Sequence, residues 1–203
     1  MRVIDVEGNA PDEIAAALFS SGACRVGNFI PHVQACALRD EAMTLDATNA
    51  FSIARMGRGS STTTDVDSRG DRTLWLDNVA CVHGGEFLAT LHTLSQQLRA
   101  NLRMPIHGVE AHYALYPPGA RYVRHKDRMQ DSGARMISWI TYLNADWQPA
   151  DGGLLRLYSD DGGHTDIAPT MGTSVCFLSD IEHEVLASHQ TRLSIAGWMR
   201  RLD

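Results

Sequence analysis

Lysine is nearly missing from this chain. Of its 18 basic residues one is a lysine, Lys126, and the others are arginines, a bias that GC-rich coding explains and that carries no chemistry. Positive charge is short as well. With 24 acidic residues the net charge is −6, which argues against the phosphate-neutralising face that sequence-independent nucleic-acid binding needs. No apolar run approaches the ~20 residues of a membrane helix. Cysteine is scarce, and Cys24, Cys36, Cys81 and Cys176 are far apart with no Cys-x-x-Cys pair. That spacing disfavours structural zinc and a disulfide framework and fits a reducing compartment. The N-terminus turns acidic at Asp5 and Glu7, too early for a secretory signal. The expectation is a cytoplasmic protein with no membrane and no nucleic-acid partner.

What is present is ordinary for a globular protein: 203 residues, 44% apolar and 21% charged, a composition that excludes disorder. The length suits one domain over 1–203. Residues 1–104 read as helical support. Pro11 sits at a first helical position ahead of the apolar run Ile14–Phe19, and Gly22 stops it. A short strand follows at Cys24–Val26. Pro31 opens a second helix through Val33, Ala37, Leu38, Ala42 and Leu45. A third runs from Glu86 to Arg103 with Phe87, Leu88, Leu91, Leu94, Leu98 and Leu102 on one face. Residues 55–72, with three glycines, three serines and three threonines, read as a functional or mobile loop.

After Pro105 the texture changes. Short apolar runs alternate with turns: Ala111–Tyr116, Arg121–His125, Met136–Leu143, Gly153–Tyr158, His164–Ile167, Ser174–Leu178, Glu182–Leu186 and Arg192–Met199. The spacing predicts an antiparallel sandwich or barrel of about eight strands. The class is therefore α+β, mainly β.

An open-site iron(II) centre needs two neutral imidazoles and a carboxylate, and leaves its other positions free. On a strand, H-x-D points both side chains to one face. By composition about one H-x-[DE] pair is expected by chance, and two occur, His125/Asp127 and His164/Asp166. Spacing chooses between them if the second histidine lies on a later strand of the opposite sheet. Asp127 and His183 are 56 positions apart, room for four strands, whereas Asp166 and His183 are 17 apart. The metal-ligand candidates are thus His125, Asp127 and His183. Arg192, in the following strand, is the candidate bidentate clamp for a carboxylate.

The runs Tyr116–Pro117, Arg121–Asp127, Thr141–Trp147, Gly152–Leu157 and His183–Val185, together with Arg192, resemble the prolyl 4-hydroxylase family of 2-oxoglutarate- and iron(II)-dependent oxygenases. The branch is similar to the hypoxia-inducible-factor prolyl hydroxylases and their bacterial relatives. Arg69, Gly70 and Asp71 ahead of Trp75 resemble the loop that closes over substrate in that branch. The resemblance implies a double-stranded β-helix (jelly roll) core over 105–203. It implies Fe(II) at His125, Asp127 and His183, and 2-oxoglutarate held by Arg192 with the Tyr142 hydroxyl as second donor. Tyr116 would line that pocket, Trp198 would border the site, and the Arg69–Asp71 pair would fix the base of a loop that folds over a bound polypeptide. Ala196 departs from the pattern, because that position often carries a hydroxyl.

The activity so implied is hydroxylation of a proline at C4 in a peptide or protein, using O2 and releasing succinate and CO2. Ascorbate would serve as reductant, and the bacterial relatives add a translation factor to the candidate substrates. Two alternatives stand beside it. One is hydroxylation of a free amino acid or small metabolite. The other is a cupin-like metal- or sugar-binding module without enzyme activity, which would give no role to Arg192 and Tyr142.

Overall fold

The computed structural model describes residues 2–54, 65, 67–128 and 134–202. Two sheets face each other. The larger has eight strands in the order β1-β2-β10-β7-β12-β5-β4-β3, and the smaller has four in the order β6-β11-β8-β9. The strands are β1 (Ile4–Glu7), β2 (Ala23–Gly27), β3 (Ser52–Ile53), β4 (Arg72–Trp75), β5 (Gly108–Tyr116), β6 (Tyr122–His125), β7 (Arg135–Tyr142), β8 (Leu155–Tyr158), β9 (His164–Ile167), β10 (Thr173–Leu178), β11 (His183–Val185) and β12 (Arg192–Arg200). This is the double-stranded β-helix, and every one of the eight runs expected after Pro105 forms a strand of it.

The helices are α1 (Pro11–Ser21), α2 (His32–Ala47) and α3 (Val82–Leu102). They cover the outer face of the large sheet. Because side chains alternate along a strand, β12 sends Leu193, Ile195 and Met199 toward the helices, where they join Phe87, Leu91, Ile137 and Trp139 in one buried cluster. The intervening residues of β12 face the space between the sheets. The close approach of α3 needs Gly197. A Cβ there would lie 3.0 Å from Leu91 Cδ2 and 3.2 Å from Ala111 Cβ.

The sequence expectation differs from the structure in four places. Val33 is exposed, and α2 packs through Ala35, Leu38 and Ala42 instead. The strands β1, β3 and β4 were not expected. They hold two to four residues each and exist by pairing with distant partners, β1 parallel to β2 and β4 along β5. β4 also shortens the expected 55–72 loop from its C-terminal end. Its expected mobility concerns residues 55–64 and 66, which lie outside the described residues.

The fourth difference is the start of α3, at Val82 rather than Glu86. No local side chain caps it. The carboxylate of Glu41 on α2 does so, accepting from the backbone N–H of His83 at 2.7 Å and of Gly84 at 2.9 Å. The same carboxylate accepts the hydroxyl of the buried Tyr113 at 2.7 Å. One side chain thus ties α2, α3 and β5 together. Glu41→Ala would remove a helix cap and leave a buried hydroxyl unpaired, at a cost of about 2–3 kcal/mol. Thermal denaturation should show a loss of about 5–10 °C, with partial recovery in Glu41→Gln; a midpoint unchanged in Glu41→Ala would refute the tie.

Candidate active site

Pairing of β6 with β11 sets His125 directly opposite His183. Asp127 lies just past the end of β6 and turns back between them. Its Oδ1 is 3.7 Å from His125 Nε2 and its Oδ2 is 3.5 Å from His183 Nε2. Ligand atoms of all three residues fall within 4.8 Å of one another. Both histidines come from the small sheet, not from opposite sheets as the spacing suggested. The reason is geometric: directly opposed residues of an antiparallel pair stand within about 5 Å at Cβ, closer than a span between facing sheets.

Each imidazole is oriented by its other nitrogen. His125 Nδ1 donates to the carbonyl of Val123 at 2.7 Å, and His183 Nδ1 donates to that of Ile181 at 3.0 Å. A carbonyl can only accept, so in the neutral imidazole form each Nδ1 carries the hydrogen and each Nε2 faces Asp127 with its lone pair. Burial pushes the His183 imidazole down to about 4, keeping it neutral. Burial would raise the Asp127 carboxyl, but the charge of His183, which is protonated in the acid range where this carboxyl titrates, outweighs it with help from Arg135 and holds the group well below the usual carboxylate range. Asp127 also accepts from Ser138 Oγ at 2.6 Å, which is 2.9 Å from Ser179 Oγ. Ser138, Ile140 and Tyr142 alternate along β7, so the same periodicity that exposes Tyr142 as an inward residue also marks Ser138.

The competing pair is spent elsewhere. Asp166 is engaged by Arg156 through two bonds of 2.8 Å, and His164 sits half exposed at 4.0 Å from it. Arg124 also points away, stacked 3.8 Å over Tyr158 and paired with Glu182.

Arg192 is 1% exposed. Its Nε donates to the carbonyl of Gly153 at 2.9 Å and its Nη1 to Ser194 Oγ at 3.2 Å. Gly153 is needed there: at φ +64 a Cβ would meet Arg192 Cδ at 3.2 Å and Ser188 Cβ at 2.9 Å. The remaining nitrogen, Nη2, is buried without a partner, and so is the Tyr142 hydroxyl. The guanidinium carbon lies 5.2 Å from the ring centres of both Tyr116 and Tyr142. Burial pushes the Tyr142 hydroxyl up to about 12, so it remains a donor. Among the described residues no carboxylate pairs with Arg192. A buried cation with an idle N–H beside an idle O–H calls for an anionic ligand bearing a carboxylate.

Arg69 and Asp71 form a bidentate pair, 2.7 and 3.0 Å, with the Asp71 side chain fully buried. The segment is stitched to β6, as Gly70 N donates to Arg121 O and Val123 N to Ser68 O, both at 2.9 Å. Arg69 lies 4.8 Å over the ring of Tyr122, which itself stacks on His125 at 3.6 Å. Ser194, Gly153 and Tyr122 were not singled out from sequence. His125, Asp127, His183, Ser138, Arg192, Ser194, Tyr116, Tyr122, Arg69 and Asp71 line one cavity of about 1090 Å³; Tyr142 and Gly153 are not part of its lining.

A two-histidine, one-carboxylate centre beside a buried arginine defines an oxygenase that uses iron(II) and a 2-oxo acid. Residues 111–200 match the family model of the 2OG-Fe(II) oxygenase superfamily. A Pseudomonas putida prolyl-4-hydroxylase is 36% identical, covering 94% of this chain and 99% of its own, with a TM-score of 0.86. A Trichoplax adhaerens prolyl hydroxylase, solved with a peptide fragment of the hypoxia inducible factor oxygen degradation domain, is 24% identical. It covers 94% of this chain and 88% of its own with a TM-score of 0.84, a likeness of fold. The chain belongs to the 2OG-Fe(II) oxygenase superfamily and is a 2-oxoglutarate-dependent dioxygenase. Membership implies Fe(II), 2-oxoglutarate and O2.

Ala substitution at His125, Asp127 or His183 should abolish iron retention and turnover, whereas His164→Ala should keep both, as read by metal content and 2-oxoglutarate consumption. Iron lost from His164→Ala but kept by His125→Ala would reverse the assignment. Ser138→Ala should weaken iron binding by about 10–100-fold, the usual worth of a group orienting a ligand.

Proposed function

We propose that the chain hydroxylates a proline, at C4, in a peptide or protein, with residues 1–203 forming one oxygenase domain. The observation that carries this reading is the 36% identity to a prolyl-4-hydroxylase over nearly the whole of both chains. The cavity supports a polypeptide over a free metabolite. Its volume exceeds what a small ligand fills, and its rim carries the exposed apolar side chains of Ile53 and Trp75, 54% and 43% exposed. A translation factor is the candidate protein substrate to test first. Four free thiols support a reducing compartment, the cytoplasm, and ascorbate is the reductant to test.

His125, Asp127 and His183 would hold the iron. Bound there, the metal would couple decarboxylation of 2-oxoglutarate to O2 reduction, placing one oxygen atom in succinate and the other in the substrate C–H bond. The protein groups supply the rest. Arg192 Nη2 and the Tyr142 hydroxyl donate to the far carboxylate of 2-oxoglutarate and fix its orientation. Tyr116 walls that end of the pocket beside the guanidinium. Arg69 and Asp71 lock the segment leading into the substrate loop against β6. The aromatic and aliphatic lining excludes water from the reacting centre.

Two measurements test this. Arg192→Ala should weaken 2-oxoglutarate binding by about 2–4 kcal/mol and Tyr142→Phe by about 1 kcal/mol, with iron retained; equal affinity in wild type and Arg192→Ala refutes the clamp. Proline-containing polypeptides should gain the mass of one oxygen atom at a proline, and turnover confined to free amino acids would overturn the substrate assignment.

A further inference from the structure

One part of the cavity holds polar groups that neither the metal centre nor the carboxylate clamp uses. On the inner face of the large sheet, His112 of β5 lies opposite Ala196 of β12 and opposite Trp75 of β4. Trp198 is the next inward residue of β12. His112 and Trp198 are 3% and 6% exposed, and their rings are 5.3 Å apart. Trp75 closes a third side, 5.1 Å from His112 and 6.5 Å from Trp198. The guanidinium of Arg135 covers the Trp198 ring at 3.5 Å and is itself held by Glu110 at 2.9 Å.

The two polar atoms of this cluster are complementary and both idle. His112 Nδ1 is 3.0 Å from the carbonyl of Tyr113. A carbonyl only accepts, so Nδ1 carries the hydrogen and Nε2 the lone pair. Burial pushes this imidazole down to about 4, so it is neutral. Its Nε2 makes no hydrogen bond among the described residues. Trp198 Nε1–H, a donor and nothing else, is buried with no partner. An acceptor without a donor therefore stands beside a donor without an acceptor, in the cavity that holds His125, Asp127 and His183. A donor buried without an acceptor, as Trp198 Nε1–H is, calls for one from a ligand. A secondary amide offers what both lack, a C=O and an N–H on opposite edges of one planar unit. Ala196, opposite His112, presents only a methyl to the same cavity.

We propose that His112 and Trp198 form a peptide-reading pair: Trp198 Nε1–H donates to a backbone carbonyl of the substrate while His112 Nε2 accepts a backbone N–H, and together they set the polypeptide across the metal centre. This rests on the polypeptide substrate proposed above and adds how the chain distinguishes one from a free amino acid. Proline has no N–H, so the N–H belongs to a residue flanking the target. A free amino acid carries its ammonium and carboxylate on one carbon and has no planar amide whose C=O and N–H diverge toward the two atoms.

The test uses iron-loaded wild type, His112→Phe, His112→Gln and Trp198→Phe. The substrates are a proline-containing peptide that the wild type hydroxylates and the same peptide N-methylated at one backbone amide at a time. Each Phe variant keeps a ring and loses the polar atom. The peptide KM should rise about five- to tenfold in both, the worth of one hydrogen bond, with a smaller change in kcat. His112→Gln, which retains an acceptor, should recover most of the loss. One N-methyl position should raise the wild-type KM by a similar factor and cost His112→Phe nothing further. Wild-type peptide KM in both Phe variants, or the absence of such a position, overturns the pair while leaving the polypeptide reading intact. A wild type that hydroxylates free amino acids and no peptide overturns both.

Discussion

The guanidinium of Arg192 is buried at the wall of the cavity, 1% exposed. A guanidinium there, with no carboxylate among the described residues to neutralise it, is tolerated only because the surrounding strands take up two of its nitrogens. The third nitrogen, together with the Tyr142 hydroxyl, is left for a ligand. Much of the local architecture serves that arrangement. Gly153 must lack a side chain so that its carbonyl can reach Nε. Ser194 must follow two residues along the same strand so that its hydroxyl meets Nη1. β5 and β7 must flank β12 in register so that Tyr116 and Tyr142 wall the charge. A buried cation left unsatisfied in this way suits a ligand that brings its own carboxylate.

The three metal-ligand candidates are brought together by a different device. It uses one cross-strand pair of histidines and one carboxylate just beyond a strand end, each aimed by a bond on its far side. The backbone carbonyls of Val123 and Ile181 fix both tautomers, and Ser138 with Ser179 fixes the carboxylate. The large sheet supplies Ser138 and the small sheet supplies the histidines, so the centre spans the two. Helices α1 to α3 never touch the chemistry. They cover the outer face of the large sheet, and the Glu41 tie holds two of them to β5.

Much of this was legible in the residues. The strand runs after Pro105 alternate in the way a two-faced sheet requires, and all eight appear. Pro11 and Gly22 bound α1 because one fixes φ and the other adopts φ +76 without strain. The three metal-ligand candidates chosen by spacing converge in the fold, although His183 returns to the same sheet as His125 and not to the opposite one. Helix α3 starts earlier than its local sequence suggests because its cap is a side chain 42 and 43 positions away from the N–H groups it accepts. β1, β3 and β4 are too short to carry a period and are defined by partners distant in sequence.

The sequence by itself determined which side chains could face inward together, because alternation along a strand is a local property. Ser138, Ile140 and Tyr142 share a face of β7, and Arg192, Ser194, Ala196 and Trp198 share a face of β12, whatever lies opposite. Only the tertiary structure decided which of those faces meet. It placed His125 against His183 rather than Asp166 against either, gave Asp166 to Arg156, and left Arg192, Tyr142, His112 and Trp198 each with a polar atom that has no partner among the described residues. Pairing register and burial are sums over distant strands, and whether a donor finds an acceptor depends on both.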